Sequence, residues 1–228
     1  VVMLSNSAAD YFRPDWIHWI AIGTEQGMGF MMIGGYCSFG GYQYPDWGPT
    51  RVGALLPVET VPSGIRSDAF RLEPVVQDDP LLSVFDWKRG PIFFGINLVS
   101  LKPGARLMAV ANPQDWPLLA YQEVGRGSAL AFMSTWGTSW GDEFVKWEYF
   151  ADFSVDMVYY SAGLEVPDPL VVHQIRTLFY HFDVQEKMVR SILDFVEMMG
   201  DKAAKVQNSL DDLLKERVDA ERLYVCLL

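Results

Sequence analysis

Apolar residues fill positions 28–33 (MGFMMI) without a polar interruption, and the run opens into a glycine-rich stretch, GGYCSFGG, at 34–41. A strand half exposed to water alternates apolar with polar residues. An unbroken run bounded by glycines therefore predicts an interior strand covered on both faces, as in a parallel sheet. Gly34, Gly35, Gly40 and Gly41 let the chain turn sharply where that strand ends. The carboxyl edge of an α/β sheet is where ligands bind, and Cys37 stands in that turn. Upstream, residues 1–4 (VVML) have strand character and run into the polar Ser5, Asn6 and Ser7. The chain begins inside this strand, which predicts a further βα unit ahead of it. Residues 14–26 gather Trp16, Ile17, Trp19, Ile20 and Ile22 on one broad face, with Pro14 suited to a first helical turn and Gly27 to a cap. A helix is expected there, leading back to the apolar strand.

Past the glycine-rich turn the pattern changes. Residues 49–56 predict a short helix stopped by Pro57. Between 58 and 110, short β-like runs (FRLEPVV, PIFFGINLVSL, RLMAVA) alternate with Pro, Gly and Asp clusters. Residues 118–121 and 129–134 flank VGRG at 124–127, a hairpin signal, so the far side of the sheet is expected to be an antiparallel edge. No helix is predicted after Gly125-Arg126-Gly127, which excludes a phosphate-binding loop. Residues 143–161 predict one strongly aromatic, buried helix. Val166, Pro167 and Pro169 mark a boundary. Beyond it, 170–228 reads as helical with a break at Gly200, and Leu210, Leu214, Val218 and Val225 form a narrow stripe among charged residues. Such a stripe is suited to packing on a partner. The expectation is an α/β domain over 1–163, with a mostly parallel central sheet and an antiparallel edge, followed by a helical C-terminal extension over 164–228 that mediates a homo-oligomer or holds a protein partner.

Composition narrows the function. A chain of 228 residues, half of them hydrophobic, can bury the core of one domain with an appendage. A net charge of -11 argues against nucleic-acid binding, which needs clustered Lys and Arg on a broad surface. Cys37 and Cys226 are far apart and form neither a disulfide framework nor a metal spacing. No apolar run reaches the roughly 18 residues that span a bilayer, and no signal-peptide pattern is present. A cytoplasmic protein with no metal, no cofactor and no membrane span is expected.

Four segments carry a resemblance: MMIGGYCSFGGY at 31–42, LLPVE at 55–59, YQEVGRGSALAFMST at 121–135 and WGDEFVKWEYF at 140–150. In order and spacing they resemble the putative glutamine amidotransferase-like proteins, relatives of the class I glutamine amidotransferases and of the ThuA-like proteins. The resemblance covers about residues 1–163 and implies a flavodoxin-like α/β fold. It also implies a Cys-His-Glu triad, with the cysteine on a G-x-C-x-G elbow and a later His-x-Glu that activates it. Gly35-Tyr36-Cys37 matches the first half, but Phe39 stands where the second glycine belongs. Where the His-x-Glu is due, the chain reads Trp136, Gly137, Thr138, Ser139, Trp140. The three histidines are His18, in the first predicted helix, and His173 and His181, beyond the boundary. A thiol with an ordinary pKa of about 8.5 and no base beside it stays protonated at neutral pH.

Cys37 is the catalytic candidate, and Gly34, Gly35, Tyr36, Ser38, Phe39, Tyr42, Trp136 and Trp140 are the candidates for holding a small-molecule ligand. The rings among them either stack on a sugar or other planar ligand or pack on one another. Asp142, Glu143 and Glu148 read as acids at a helix start rather than as a catalytic cluster. The expected function is a non-catalytic or diverged amidotransferase-like domain that binds a small ligand or a protein partner. Two alternatives stand beside it: a cysteine-dependent hydrolase that takes its base from elsewhere, and a structural subunit of a larger complex.

Overall fold

The computed structural model describes residues 1–137 and 139–164. The helices expected over 170–228, with the stripe of Leu210, Leu214, Val218 and Val225, lie outside the described residues. In chain order the elements are β1 (Val2–Ser5), α1 (Pro14–Glu25), β2 (Gly29–Ile33), α2 (Arg51–Leu55), β3 (Val58–Arg66), β4 (Phe70–Pro74), β5 (Ile92–Phe93), β6 (Ile96–Leu101), β7 (Arg106–Asn112), β8 (Trp116–Val124), β9 (Gly127–Phe132), α3 (Asp142–Lys146) and α4 (Phe150–Ser161). One sheet runs in the order β1-β2-β9-β8-β7-β4-β5, and β3 pairs with β6 in a second, two-stranded sheet.

The expected interior strand is present. All five residues of β2 are buried, between β1 and β9, and it runs parallel to both. A strand hidden on both faces has no use for polar side chains, so the run in the sequence follows from its place. Helices α1 and α4 both pack on it.

The mostly parallel, flavodoxin-like sheet does not hold. Parallel pairing stops at β9, and the β9–β8, β8–β7, β7–β4 and β4–β5 pairs are all antiparallel. Strand direction is decided by connections. A parallel neighbour needs a long crossover, and β1-α1-β2 is the helical crossover that supplies one. From β7 onward short turns reverse the chain: two residues, Gly125 and Arg126, join β8 to β9, with Gly125 at φ 61°. The antiparallel part is thus four strands wide beyond β9, not an edge.

The aromatic segment after β9 also departs from expectation, since two helices replace one. In a continuous helix Phe144 and Phe153, nine residues apart, would point about half a turn out of phase. Both are fully buried and meet with centroids 5.9 Å apart. The break at Trp147, whose backbone is extended, lets each helix turn its rings into the same core. Phe144 also lies 5.0 Å from Phe93 and stacks on Phe132. The short helix α2 is fastened at its carboxyl end, where Lys102 Nζ donates to the Gly53 and Ala54 carbonyls and Gln122 Nε2 donates to those of Leu55 and Leu56. Burial there lowers the pKa of Lys102, against a smaller opposite effect from Glu59.

Candidate functional site

The glycine-rich turn lies at the carboxyl end of β2, and two asparagines from other elements hold it. Asn97 on β6 is buried; its Oδ1 accepts the Gly35 N–H at 2.9 Å, while its Nδ2 donates to the carbonyls of Gly35 at 3.0 Å and Ser38 at 3.4 Å. Asn6, just past β1, accepts the Cys37 N–H on its Oδ1 at 3.0 Å. Close approach explains the paired glycines. A Cβ on Gly34 would lie 2.7 Å from Asn97 Oδ1 and 2.6 Å from the Met133 carbonyl, and one on Gly35 would lie 2.3 Å from Asn6 Oδ1. Gly35 also has φ 147°, a backbone conformation that side chains rarely allow. Ser38 Oγ closes the turn by donating to the Ile33 carbonyl at 2.7 Å.

Cys37 is a free thiol, 7% exposed. The turn that carries it leads into a loop, and α2 begins only at Arg51. The strand-to-helix elbow that the resemblance implied is therefore not formed. The left-handed residue of the turn is Phe39, at φ 55° and fully buried, rather than Cys37. Among the described residues no histidine pairs with the thiol, since His18 on α1 meets Arg51 through its Nδ1. The Tyr11 phenol is a neighbour of the thiol. Loss of surrounding water, then the neighbouring Tyr44 and Cys37, raise its pKa above the usual tyrosine value. It is a hydroxyl at neutral pH and supplies no base.

The sequence candidates divide into three groups. Gly34, Gly35, Ser38 and Phe39 are buried and form the frame of the turn. Tyr36 and Tyr42 are exposed and lie 6.5 Å apart, edge to face, and Tyr36 covers the buried Trp140 with centroids 5.0 Å apart. Trp136 is drawn into the core, against Phe132, Phe144 and Phe150. Trp47, another loop ring, is fully buried, with its Nε1 donating to the Ser7 carbonyl at 2.8 Å. Sequence reasoning missed Asn6, Asn97 and Tyr11. The clue to Asn6 was its place in the polar triplet that ends β1; nothing local marked Asn97. Among the described residues no group of three His, Cys, Asp or Glu side chains is placed to hold a metal ion, and no helix is long and apolar enough to cross a membrane.

Cys37 thus stands in a turn at the carboxyl end of β2, the strand that pairs parallel with both of its neighbours. The model of the putative glutamine amidotransferase family matches residues 4–161, and the chain belongs to that family. Two solved structures share its fold: the cytoplasmic protein STM3548 from Salmonella typhimurium, 23% identical with a TM-score of 0.64, and the cytoplasmic protein STM1381 from Salmonella typhimurium LT2, 23% identical with a TM-score of 0.63. Each similarity covers 69% of this chain and 70% of the other. No curated protein matches the sequence.

Proposed function

We propose that this chain is a non-catalytic member of its family, a cytoplasmic domain whose carboxyl-edge loops bind a small ligand or a protein partner. The observation that carries this reading is the Cys37 environment. The thiol has no histidine beside it among the described residues, its own amide is held by Asn6, and the stretch due to supply the His-x-Glu instead supplies Trp136 to the core and Trp140 to Tyr36. A glutaminase needs a base for its nucleophile and free donors for the oxyanion. Ammonia release from glutamine is expected to stay at the level of the Cys37→Ala variant. Turnover by the wild type that disappears in Cys37→Ala would overturn the reading and favour a hydrolase with a base from His173, His181 or another subunit.

The segment over 164–228 is assigned to assembly on the strength of its sequence stripe. Fully burying a Leu or Val side chain is worth about 1.5–3 kcal/mol, so Leu210, Leu214, Val218 and Val225 need a cover. Deleting residues 203–228 is expected to lower the mass seen by light scattering while leaving the circular dichroism of the folded domain over 1–163 in place. An unchanged mass would count against assembly through this segment.

A further inference from the structure

A cleft of about 790 Å³ opens on the far side of the sheet from β2, between β4 and residues 77–88. That volume falls among those of small-molecule sites, roughly 300–1,000 Å³. Its second wall belongs to the connection from β4 to β5, residues 75–91, whose one regular piece is a 3-10 turn at Trp87–Arg89. Two residues are enough to join adjacent antiparallel strands, and irregular connections longer than about 12–15 residues are uncommon and usually functional. This one is packed down. Leu81 and Leu82 are fully buried, and Trp87 Nε1 donates to the Leu82 carbonyl at 2.8 Å. The floor of the cleft is apolar: Phe70, Leu72, Leu82 and Trp87 are buried there, and Phe85 is half-buried. Strand β5 pairs with Phe70 and Arg71 alone, so the outer edge of β4 is open beyond them and the cleft reaches residues of both its faces.

Two opposite charges line this cleft without neutralising each other. Arg71 and Glu73 alternate with the buried Phe70 and Leu72, and two residues apart on one strand face they are separated by about 6.6 Å. Among the described residues neither forms an ion pair. Each is held by a neutral group instead: Arg71 donates through Nη1 to the Gly90 carbonyl, and Glu73 accepts the Asn112 amide on Oε2. We propose that the cleft binds a free amino acid with a large apolar side chain, its carboxylate on Arg71, its ammonium on Glu73 and its side chain on the floor of Leu82, Phe85 and Trp87. A free amino acid carries both charges on one carbon and so fits between opposite charges at this spacing, whereas the two ends of a peptide are parted by its length. Hydrogen bonds between charged groups are the strong ones, and side chains already held in place lose little freedom on binding. The facing wall adds one charge of each sign, Asp86 and Lys88, so the lining favours neither a polyanion nor a polycation. The cleft shares no residue with the Cys37 turn, and the proposal stands whether or not that thiol is catalytic.

The test is calorimetric titration of the full-length chain with phenylalanine, N-acetylphenylalanine, phenylalaninamide and glutamine. Saturable binding of phenylalanine is expected. Acetylation removes the positive charge and amidation the negative one, and each should weaken binding at least tenfold, as should the polar side chain of glutamine. Glu73→Gln keeps an acceptor for Asn112, and the side chain is exposed, so the melting temperature should not change. The variant should bind phenylalanine at least tenfold more weakly and no better than it binds the acetylated form. Cys37→Ala should bind phenylalanine as the wild type does. Absence of phenylalanine binding, equal binding of the acetylated or amidated form by the wild type, a preference for glutamine, affinity indifferent to Glu73→Gln, or affinity lost in Cys37→Ala would each overturn the proposal. None of these results measures glutamine turnover, so failure here and failure of the non-catalytic reading are told apart.

Discussion

Replacing Phe144 by alanine is expected to destabilise the domain by about 3–5 kcal/mol, the range for removing a large aromatic side chain from a packed core. The side chain is fully buried, and five other rings surround it besides Phe153: Phe93 and Phe150 at 5.0 Å, Phe132 at 5.8 Å, Trp147 at 6.1 Å and Trp136 at 6.4 Å. These neighbours come from β5, β9, α4 and the loops between, so the hole cannot be closed by shifting one element. Domains of this size are stable by only about 5–15 kcal/mol, and the variant should unfold at a clearly lower urea concentration. Urea unfolding followed by circular dichroism measures the loss. The neighbouring core probe has a surface control in Phe94, 40% exposed, where alanine should change stability by about 0.5 kcal/mol or less. Equal effects at the two positions would show that the ring cluster is not the centre of the core.

Asn97→Leu is expected to cost about 3 kcal/mol through a different mechanism. Leucine fills similar space, so little cavity forms. What changes is that the Gly35 N–H and the Gly35 carbonyl lose their partner inside the protein, while the Ser38 carbonyl keeps the Gly41 N–H at 3.0 Å. A buried polar group left without a partner costs about 1–3 kcal/mol. Two such groups share one partner, and relaxation of the turn recovers part of the sum. The midpoint of urea unfolding should fall with an unchanged slope, the mark of altered stability rather than altered compactness. Asn97→Asp keeps the acceptor for Gly35 but faces two carbonyls with a carboxylate, and it should be no better tolerated. A loss below about 1 kcal/mol for both variants would mean that the turn holds its shape without Asn97. The thiol should also become more open to alkylating reagents in Asn97→Leu, which ties the asparagine to the position of Cys37.

Local sequence determined a good part of this protein. The buried strand β2, helix α1, the β8–β9 hairpin and the place of Cys37 at the carboxyl end of β2 were all legible, because each depends on residues within one element or its adjoining turn. The family was legible as well, through four segments kept in order. Tertiary structure decided the rest. The sheet is mixed, with its larger part antiparallel, because direction follows from which strands the turns bring together, and apolar runs look alike in either orientation. The aromatic stretch after β9 splits in two because Phe144 and Phe153 must reach one core, a requirement set by β5 and β9 and not by the stretch itself. Asn97 lies 62 residues from Gly35, and no local pattern announces a hydrogen bond formed only when β6 and the end of β2 meet. The same holds for the contact of Tyr44 with Tyr11. Tyr36, Tyr42 and Tyr44 were visible in one loop, but the partner of Tyr44 is Tyr11 on the turn after β1, and it is the parallel pairing of β1 with β2 that brings their ends together at one edge of the sheet.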